Sequence, residues 1–218
     1  MNTKQTRLIL VRHCQSMGNL LKVFQGQTDF DISPLGEQQL ELLALRLRNV
    51  PIDAIYASPL IRAWKTAEAI NRYHDLPIIP MDELKEIDIG DLAGRGPGKV
   101  FEGYPELRDH WANARHKVQF PGGESAKDVW NRAHAVLEKI LAENAGKTVA
   151  AVAHGFLLEN MLCLFQYGDF EALPRCHVGG NTSVSEFLIS EDGVEIVRVN
   201  DASHLPDALR DRLDFKKI

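Results

Sequence analysis

Three short apolar runs, residues 8–11, 54–57 and 148–153, constrain the fold more tightly than any other feature of the chain. Each is too short for a buried helix and has the length of a strand covered on both faces, the pattern of a parallel sheet. Helical patterns lie between and after them. In residues 34–47, Ser33 can cap the first turn, Pro34 takes the first helical position, and Leu40, Leu43, Ala44 and Leu47 form one face. Residues 59–73 repeat that spacing with Leu60, Ala63, Trp64, Ala67 and Ile70. Residues 125–144 do so with Val129, Ala133, Val136, Leu137, Ile140 and Leu141, behind a Ser125 cap with Asp128 three residues on. A further helix is expected after Gly155. Right-handed crossovers return each helix over the sheet, so the expected fold class is α/β, a mostly parallel central sheet with helices on both faces. Residues 183–189 and 194–199 flank Glu191, Asp192 and Gly193 and predict a hairpin, with a helix or tail in the last dozen residues.

At 218 residues the chain has the length of one large domain, and no repeat or long linker divides it. Glycine and proline cluster at 90–98 and 121–123, which brackets a lid-like insertion at about 91–122 within a single domain spanning 1–218. The net charge of -5 supplies no basic field, so neither nucleic acid nor an anionic membrane is an expected partner, and any anion site has to be local. Cys14, Cys163 and Cys176 are too few and too irregular for a disulfide framework or a zinc knuckle. An odd number fits a reducing compartment, and the expected location is the cytoplasm. Only a four-residue apolar stretch, 8–11, precedes Arg12 and no apolar segment of spanning length follows, so neither a leader nor an anchor is expected.

In open α/β sheets ligands collect where strands end and loops begin. The first run ends in Arg12-His13, the second in Ser58-Pro59-Leu60 with Arg62 shortly after, and the third in His154-Gly155. Two guanidiniums and two imidazoles thus arrive at one edge of the sheet. The fixed charges of the arginines repel a divalent cation, and no carboxylate adjoins either histidine to offset them, so the set makes a poor metal site. It makes a good phosphate site. A guanidinium fork matches phosphate oxygens, and a neutral imidazole is a competent nucleophile toward phosphorus.

These residues sit in an ordered series of motifs. Arg12-His13-Cys14-Gln15-Ser16 with Asn19 is followed by Phe24-Gln25-Gly26, Asp29, and Ile32-Ser33-Pro34-Leu35-Gly36 with Gln39. Ser58-Pro59-Leu60, Arg62-Ala63, Thr66-Ala67 and Leu84-Lys85-Glu86 with Gly90, Leu92 and Gly94 come next. Pro121-Gly122-Gly123-Glu124-Ser125, His154-Gly155 and Asn181-Thr182-Ser183 complete it. The series resembles the histidine phosphatase superfamily, the phosphoglycerate mutase-like family, in its phosphatase branch. That resemblance implies that His13 attacks the phosphoryl group and becomes phosphohistidine, that Arg12, Arg62 and His154 hold its oxygens, and that Glu86 is the proton donor and acceptor. It further implies substrate contacts at Asn19, Gln25, Gly26, Gly155 and Asn181, and a reaction that needs neither metal nor cofactor. The substrate class is a small phosphorylated metabolite; a homodimer stays open.

The pattern is broken at two positions. Cys14 stands where the family has glycine, and a side chain there is expected to narrow the site or slow it. Cys14 is not the nucleophile of a cysteine phosphatase loop, because the sixth residue after it is Leu20 and not arginine. Gln15 replaces a glutamate and removes one charge. Around Glu86, the acids Asp82, Glu83, Asp88 and Asp91 crowd the same loop, with Asp88 as the reserve proton donor. Of Arg95, Lys99, Arg108, Arg115, His116 and Lys117 on the insertion, one or two are expected to read the substrate beyond its phosphate. The tail Asn200-Asp201-Ala202-Ser203-His204 is similar to that of some phosphatases and is expected to cover the pocket. Residues 94–100 look like a nucleotide loop but have Ala93 and Val100 where glycine and a hydroxyl belong. The reading is a metal-independent phosphatase. Two alternatives stand beside it: a cofactor-dependent phosphoglycerate mutase, disfavoured by the short 94–121 segment without an Arg-Arg pair, and a feeble phosphate-binding regulatory protein spoiled by Cys14.

Overall fold

A computed structural model describes residues 5–96 and 98–210. Its central sheet has six strands, β1 (Thr6–Arg12), β2 (Ala54–Ala57), β3 (Ile78–Pro80), β4 (Thr148–Ala153), β5 (Val184–Ser190) and β6 (Gly193–Asp201), in the spatial order β3-β2-β4-β1-β5-β6. The first four run parallel; β5 lies antiparallel to β1, and β6 antiparallel to β5. The helices are α1 (Met17–Leu20), α2 (Pro34–Leu47), α3 (Ile61–Asn71), α4 (Pro105–Asn113), α5 (Ala126–Glu143) and α6 (Gly155–Tyr167).

Alternation along the strands explains why the apolar runs are continuous. Leu8 and Leu10 of β1, with Val149 and Ala151 of β4, point into a core shared with α5 and α6, whereas Ile9, Val11, Ala150 and Val152 point into a second core under α2 and α3. With both faces covered, positions 8–11 of β1 and 149–153 of β4 are all apolar. Register then aligns the strand ends: Arg12 pairs with Ala153, and Ala57 with Val152. His13, Ser58 and His154, each the residue after its strand, therefore emerge side by side.

Local signals placed the helices well. Ser33 caps α2 by accepting from the Gly36 N–H, and Ser125 and Asp128 form a reciprocal capping box on α5. α3 begins two residues later than its apolar spacing predicts, because Ser58 and Pro59 form a turn in which the Leu60 N–H reaches Ser58 Oγ at 3.3 Å. α6 stops at Gly168, which takes the left-handed conformation at φ 63°. The hairpin forms as β5 and β6. Of the expected terminal helix or tail, residues 207–209 make one 3-10 turn and residues 211–218 lie outside the described part.

Three elements escaped sequence reading: the short edge strand β3, the single-turn α1, and α4 inside the 91–122 segment. That segment is docked. Val100, Phe101, Leu107, Trp111, Val118 and Phe120 are buried in the α5/α6 core, with Trp111 edge-on to Phe24 at 4.9 Å and stacked on Phe156 at 5.3 Å. Among the described residues no helix is long and apolar enough to cross a membrane.

Candidate active site

His13 follows β1 and is 3% exposed. Its Nδ1 lies 2.6 Å from the Cys14 carbonyl oxygen. A carbonyl only accepts, so Nδ1 carries the proton and Nε2 keeps its lone pair. Burial, followed by the charges of Arg62 and Arg12, holds this imidazole well below its ordinary pKa of 6.5, with the Cys14 carbonyl opposing. His13 is neutral at pH 7.

Both arginines are locked by backbone oxygens. Arg12 Nη1 donates to Gly179 O at 2.6 Å. Arg62, 1% exposed on α3, donates from Nη1 to Thr28 O at 2.9 Å and from Nη2 to Gly26 O at 2.8 Å. Gly26 adopts φ 50°, and a Cβ there would meet Ile89 Cγ1 at 2.6 Å, so glycine is required for the loop that receives Arg62. Burial lowers the Arg62 pKa to about 10, with Glu86 and Asp29 pulling the other way, so the group stays charged at neutral pH. His154 is fully buried, its ring centroid 5.0 Å from that of His13 and its Nε2 2.7 Å from Ser58 Oγ. Its Nδ1 has no hydrogen-bond partner among the described residues. Burial first, then Arg62, lowers its pKa strongly as well.

The Glu86 carboxylate sits at the N-terminus of α6. Both of its oxygens accept from the Phe156 N–H at 3.1 Å, and Oε1 also accepts from Ile87 N–H at 3.0 Å. Unassigned amides at a helix start are ready partners for a carboxylate. A brace from α5 fixes this loop: Arg132 Nη1 donates to Lys85 O at 2.7 Å and Nη2 to Glu124 Oε2 at 2.8 Å, while Asp88 N–H donates to the same Glu124 oxygen.

Arg12, His13, Asn19, Gln25, Gly26, Arg62, Glu86 and Gly155 line one cleft of about 700 Å³, open mouth included. His154 and Asn181 are not part of its wall. Asn181 departs from the expected substrate contact: it is buried, and its Nδ2 donates to the His13 carbonyl at 2.8 Å. Asn19 lines the cleft while its Oδ1 accepts from Ser16 N–H at 3.1 Å, which leaves the amide NH2 for a ligand. Gln25 is held by Ser16 Oγ at 2.8 Å. Asp88 is not in the cleft; its Oδ1 accepts from Gly90 N–H.

Cys14 does not narrow the site. Its side chain is fully buried against Leu40, Ala69 and Ile32, outside the cleft, and its φ is not left-handed, so glycine is not needed there. Burial pushes the thiol pKa up to about 12, which removes any thiolate. The reason is the two-residue alternation of an extended chain: with His13 facing the cleft, its neighbour faces away. His204, expected over the pocket, is likewise absent from its wall and lies beside Thr182 and Arg46. Sequence reading missed Ser58, Arg132 and Glu124 as supports, although Ser58 stood at a strand end. Of the insertion's cations, Arg115 reaches the cleft, stacked over Trp111 at 4.6 Å and paired with the buried Glu159; Lys22 joins it from outside the insertion. Among the described residues no three His, Cys, Asp or Glu side chains gather as metal ligands.

Comparison with known proteins gives the family of the chain. A family model described as Histidine phosphatase superfamily (branch 1) matches residues 8–202. Phosphoserine phosphatase 1 of Hydrogenobacter thermophilus is 40% identical over 199 residues, covering 91% of this chain and 94% of that protein. The solved structure of Bacillus stearothermophilus YhfR superposes with a TM-score of 0.86 at 30% identity, covering 91% of this chain and 98% of that one. A phosphoserine phosphatase variant from Entamoeba histolytica, solved with phosphoserine, superposes at 0.80 with 25% identity, over 92% of this chain and all of its own. With the match spanning nearly the whole fold, the chain belongs to the histidine phosphatase superfamily, branch 1.

Proposed function

We propose that this phosphomonoester hydrolase works through a phosphohistidine at His13, without a metal, on a small phosphorylated amino or hydroxy acid such as phosphoserine. The observation that carries the mechanism is the neutral His13 ring with Nδ1–H fixed on the Cys14 carbonyl, beside two buried guanidiniums. The Nε2 lone pair forms the P–N bond as the P–O bond to the alcohol breaks, and Glu86, entering the step in its acid form, delivers that proton to the departing oxygen and is left as the carboxylate. Water then attacks phosphorus, Glu86 takes its proton, and the P–N bond breaks to release phosphate and neutral His13. Arg12 and Arg62 stabilise charge on the equatorial oxygens from positions already set by Gly179, Gly26 and Thr28. His154 lies behind the cleft wall with its ring 5.0 Å from that of His13, and its Nδ1, unpartnered among the described residues, serves as a neutral hydrogen-bond donor to a third oxygen, with no proton transferred.

The substrate class rests on Lys22. It lines the same cleft with no carboxylate paired to it among the described residues, whereas Arg115 lines it already paired with Glu159, so an acid group on the leaving alcohol is matched by Lys22. Two relatives named as phosphoserine phosphatases agree with that choice. The 91–122 segment serves as the cover that places Arg115 and Trp111 over the leaving group. The three cysteines are all free thiols, in keeping with a cytoplasmic setting.

The test is phosphate release from an aryl phosphate and from phosphoserine, together with acid-quench trapping of radiolabelled phosphoenzyme. His13→Ala abolishes both signals, and chelators leave the parent enzyme unchanged. Turnover surviving in His13→Ala, or lost with chelator, overturns the mechanism. Isomerisation of 3-phosphoglycerate after priming by a bisphosphate, without phosphate release, would make it a mutase instead.

A further inference from the structure

Residues 200–204, which do not reach the cleft, converge on the backbone that carries Arg12 and His13. Thr182 is fully buried and held at φ 57°, a conformation that a β-branched residue rarely adopts and that needs support from its surroundings. Its N–H is shared between the carbonyls of Arg12 at 3.2 Å and His13 at 3.3 Å, and its neighbour Asn181 donates to the same His13 carbonyl. The support comes from the tail. His204 Nε2 lies 3.1 Å from Thr182 Oγ1, and His204 Nδ1 lies 2.9 Å from Arg46 Nη1. A guanidinium only donates, so Nδ1 accepts and the neutral ring directs Nε2–H at the threonine oxygen. Arg46 is itself fixed by Asp201, donating to Oδ2 at 2.6 Å. From the same strip, Asn200 Oδ1 accepts from Gly179 N–H at 2.7 Å, and the Gly179 carbonyl holds Arg12.

We infer that His204, acting through Thr182, is a positioning residue for the nucleophile: the relay Arg46–His204–Thr182 fixes the end of β1 so that the His13 ring meets phosphorus in line. The inference rests on His13 being the nucleophile. Burial, with Arg46 next, holds the His204 pKa down at about 4, so its accepting nitrogen persists through the neutral range. An imidazole fits because one ring offers an acceptor and a donor on opposite sides, 158 residues from Arg46 and 22 from Thr182 in sequence.

The experiment compares His204→Ala, Thr182→Val, their combination and His204→Gln, with Tyr56→Phe as a control that loses hydrogen bonds to Glu143 and Asn144, none of the three lining the cleft. Misplacement of a reacting group by a fraction of an ångström predicts a fall in kcat of about tenfold in each of the first two, with KM within about twofold. The double variant falls no further, and His204→Gln, which keeps an acceptor and a donor, recovers much of the rate. Tyr56→Phe lowers the melting temperature and leaves kcat alone. A kcat within about twofold of the parent in both His204→Ala and Thr182→Val, losses that multiply in the double variant, or an equal loss in Tyr56→Phe overturns the relay. Should His204→Ala fail to fold, Thr182→Val and His204→Gln decide. Phosphoenzyme trapped from His13→Ala in the same series would instead remove the nucleophile assignment, so the two failures are distinct.

Discussion

Lysine at position 62 keeps a positive charge yet cannot do what the guanidinium does, which makes Arg62→Lys a sharp probe of the site. Arg62 reaches Thr28 O and Gly26 O with two nitrogens at once while it is 1% exposed. An ammonium has three donors on one nitrogen but lacks the rigid two-nitrogen fork that reaches both carbonyls and still faces the phosphoryl group, so it sits farther from that group. Two unit charges at an effective dielectric of 20 attract by about 4 kcal/mol at 4 Å and about 2.8 kcal/mol at 6 Å, so a shift of about 2 Å costs roughly tenfold in rate. Loss of a charge-assisted hydrogen bond to the transition state adds about 1.5–3 kcal/mol. Together they predict a fall in kcat of about 10²- to 10³-fold, in the range seen when one fixed oxyanion donor is deleted. The assay is kcat and KM for an aryl phosphate, run below the variant's melting transition because a buried carbonyl loses its donor. A second readout is independent of turnover. The Arg62 charge is the largest cause after burial of the low His13 and His154 pKa values, so Arg62→Met raises both imidazole titrations in NMR. A kcat for Arg62→Lys within fivefold of the parent, or titrations unmoved in Arg62→Met, would show that this guanidinium does not act on the phosphoryl group.

Glu86→Gln slows an alkyl phosphate by about 10²-fold or more and an aryl phosphate by less than about tenfold, because a good leaving group needs little protonation; equal slowing moves the proton to another group. Cys14→Gly leaves kcat within about twofold and lowers stability by about 2 kcal/mol in urea titration, since the side chain fills the pocket beside Leu40 and Ala69; a faster variant at unchanged stability refutes that placement. Stability also depends on pH with a defined sign. His13, His154 and His204 are depressed in the folded protein, so the unfolded chain binds protons near 6.5 where the native state does not. Stability is then full above about pH 7 and declines as pH falls below 6.5 toward the folded His204 value of about 4. Urea midpoints at pH 7.5 and pH 5 read this, and equal midpoints sink it.

The network behind the site changes how the motifs are understood. His13, Arg12 and Glu86 touch the cleft, but each is held by residues that do not: Thr182 and Asn181, Gly179, and the Arg132–Glu124 brace. The chain therefore surrounds a small cationic cleft with backbone acceptors and donors fixed before any substrate arrives, the condition under which electrostatic stabilisation needs least reorganisation.

Sequence alone determined the sheet, the long helices and the strand-end residues, because burial on both faces forces unbroken apolar runs and because caps and helical spacing are local signals. It also determined which residues meet at the candidate site, since parallel strands deliver their following residues to one edge. Side-chain direction and remote pairing were decided only by the tertiary structure. Cys14 turns away from the cleft by strand alternation, whereas Asn181 and His204 leave the expected pocket for hydrogen bonds to His13 and Thr182 across 168 and 22 residues. The exposed edge strand β3 and the helix α4 carried too weak a local pattern to stand out, because one is three residues long and the other is fixed by Trp111 packing on Phe24 and Phe156. Contacts of that kind depend on distance in space, which no spacing along the chain encodes.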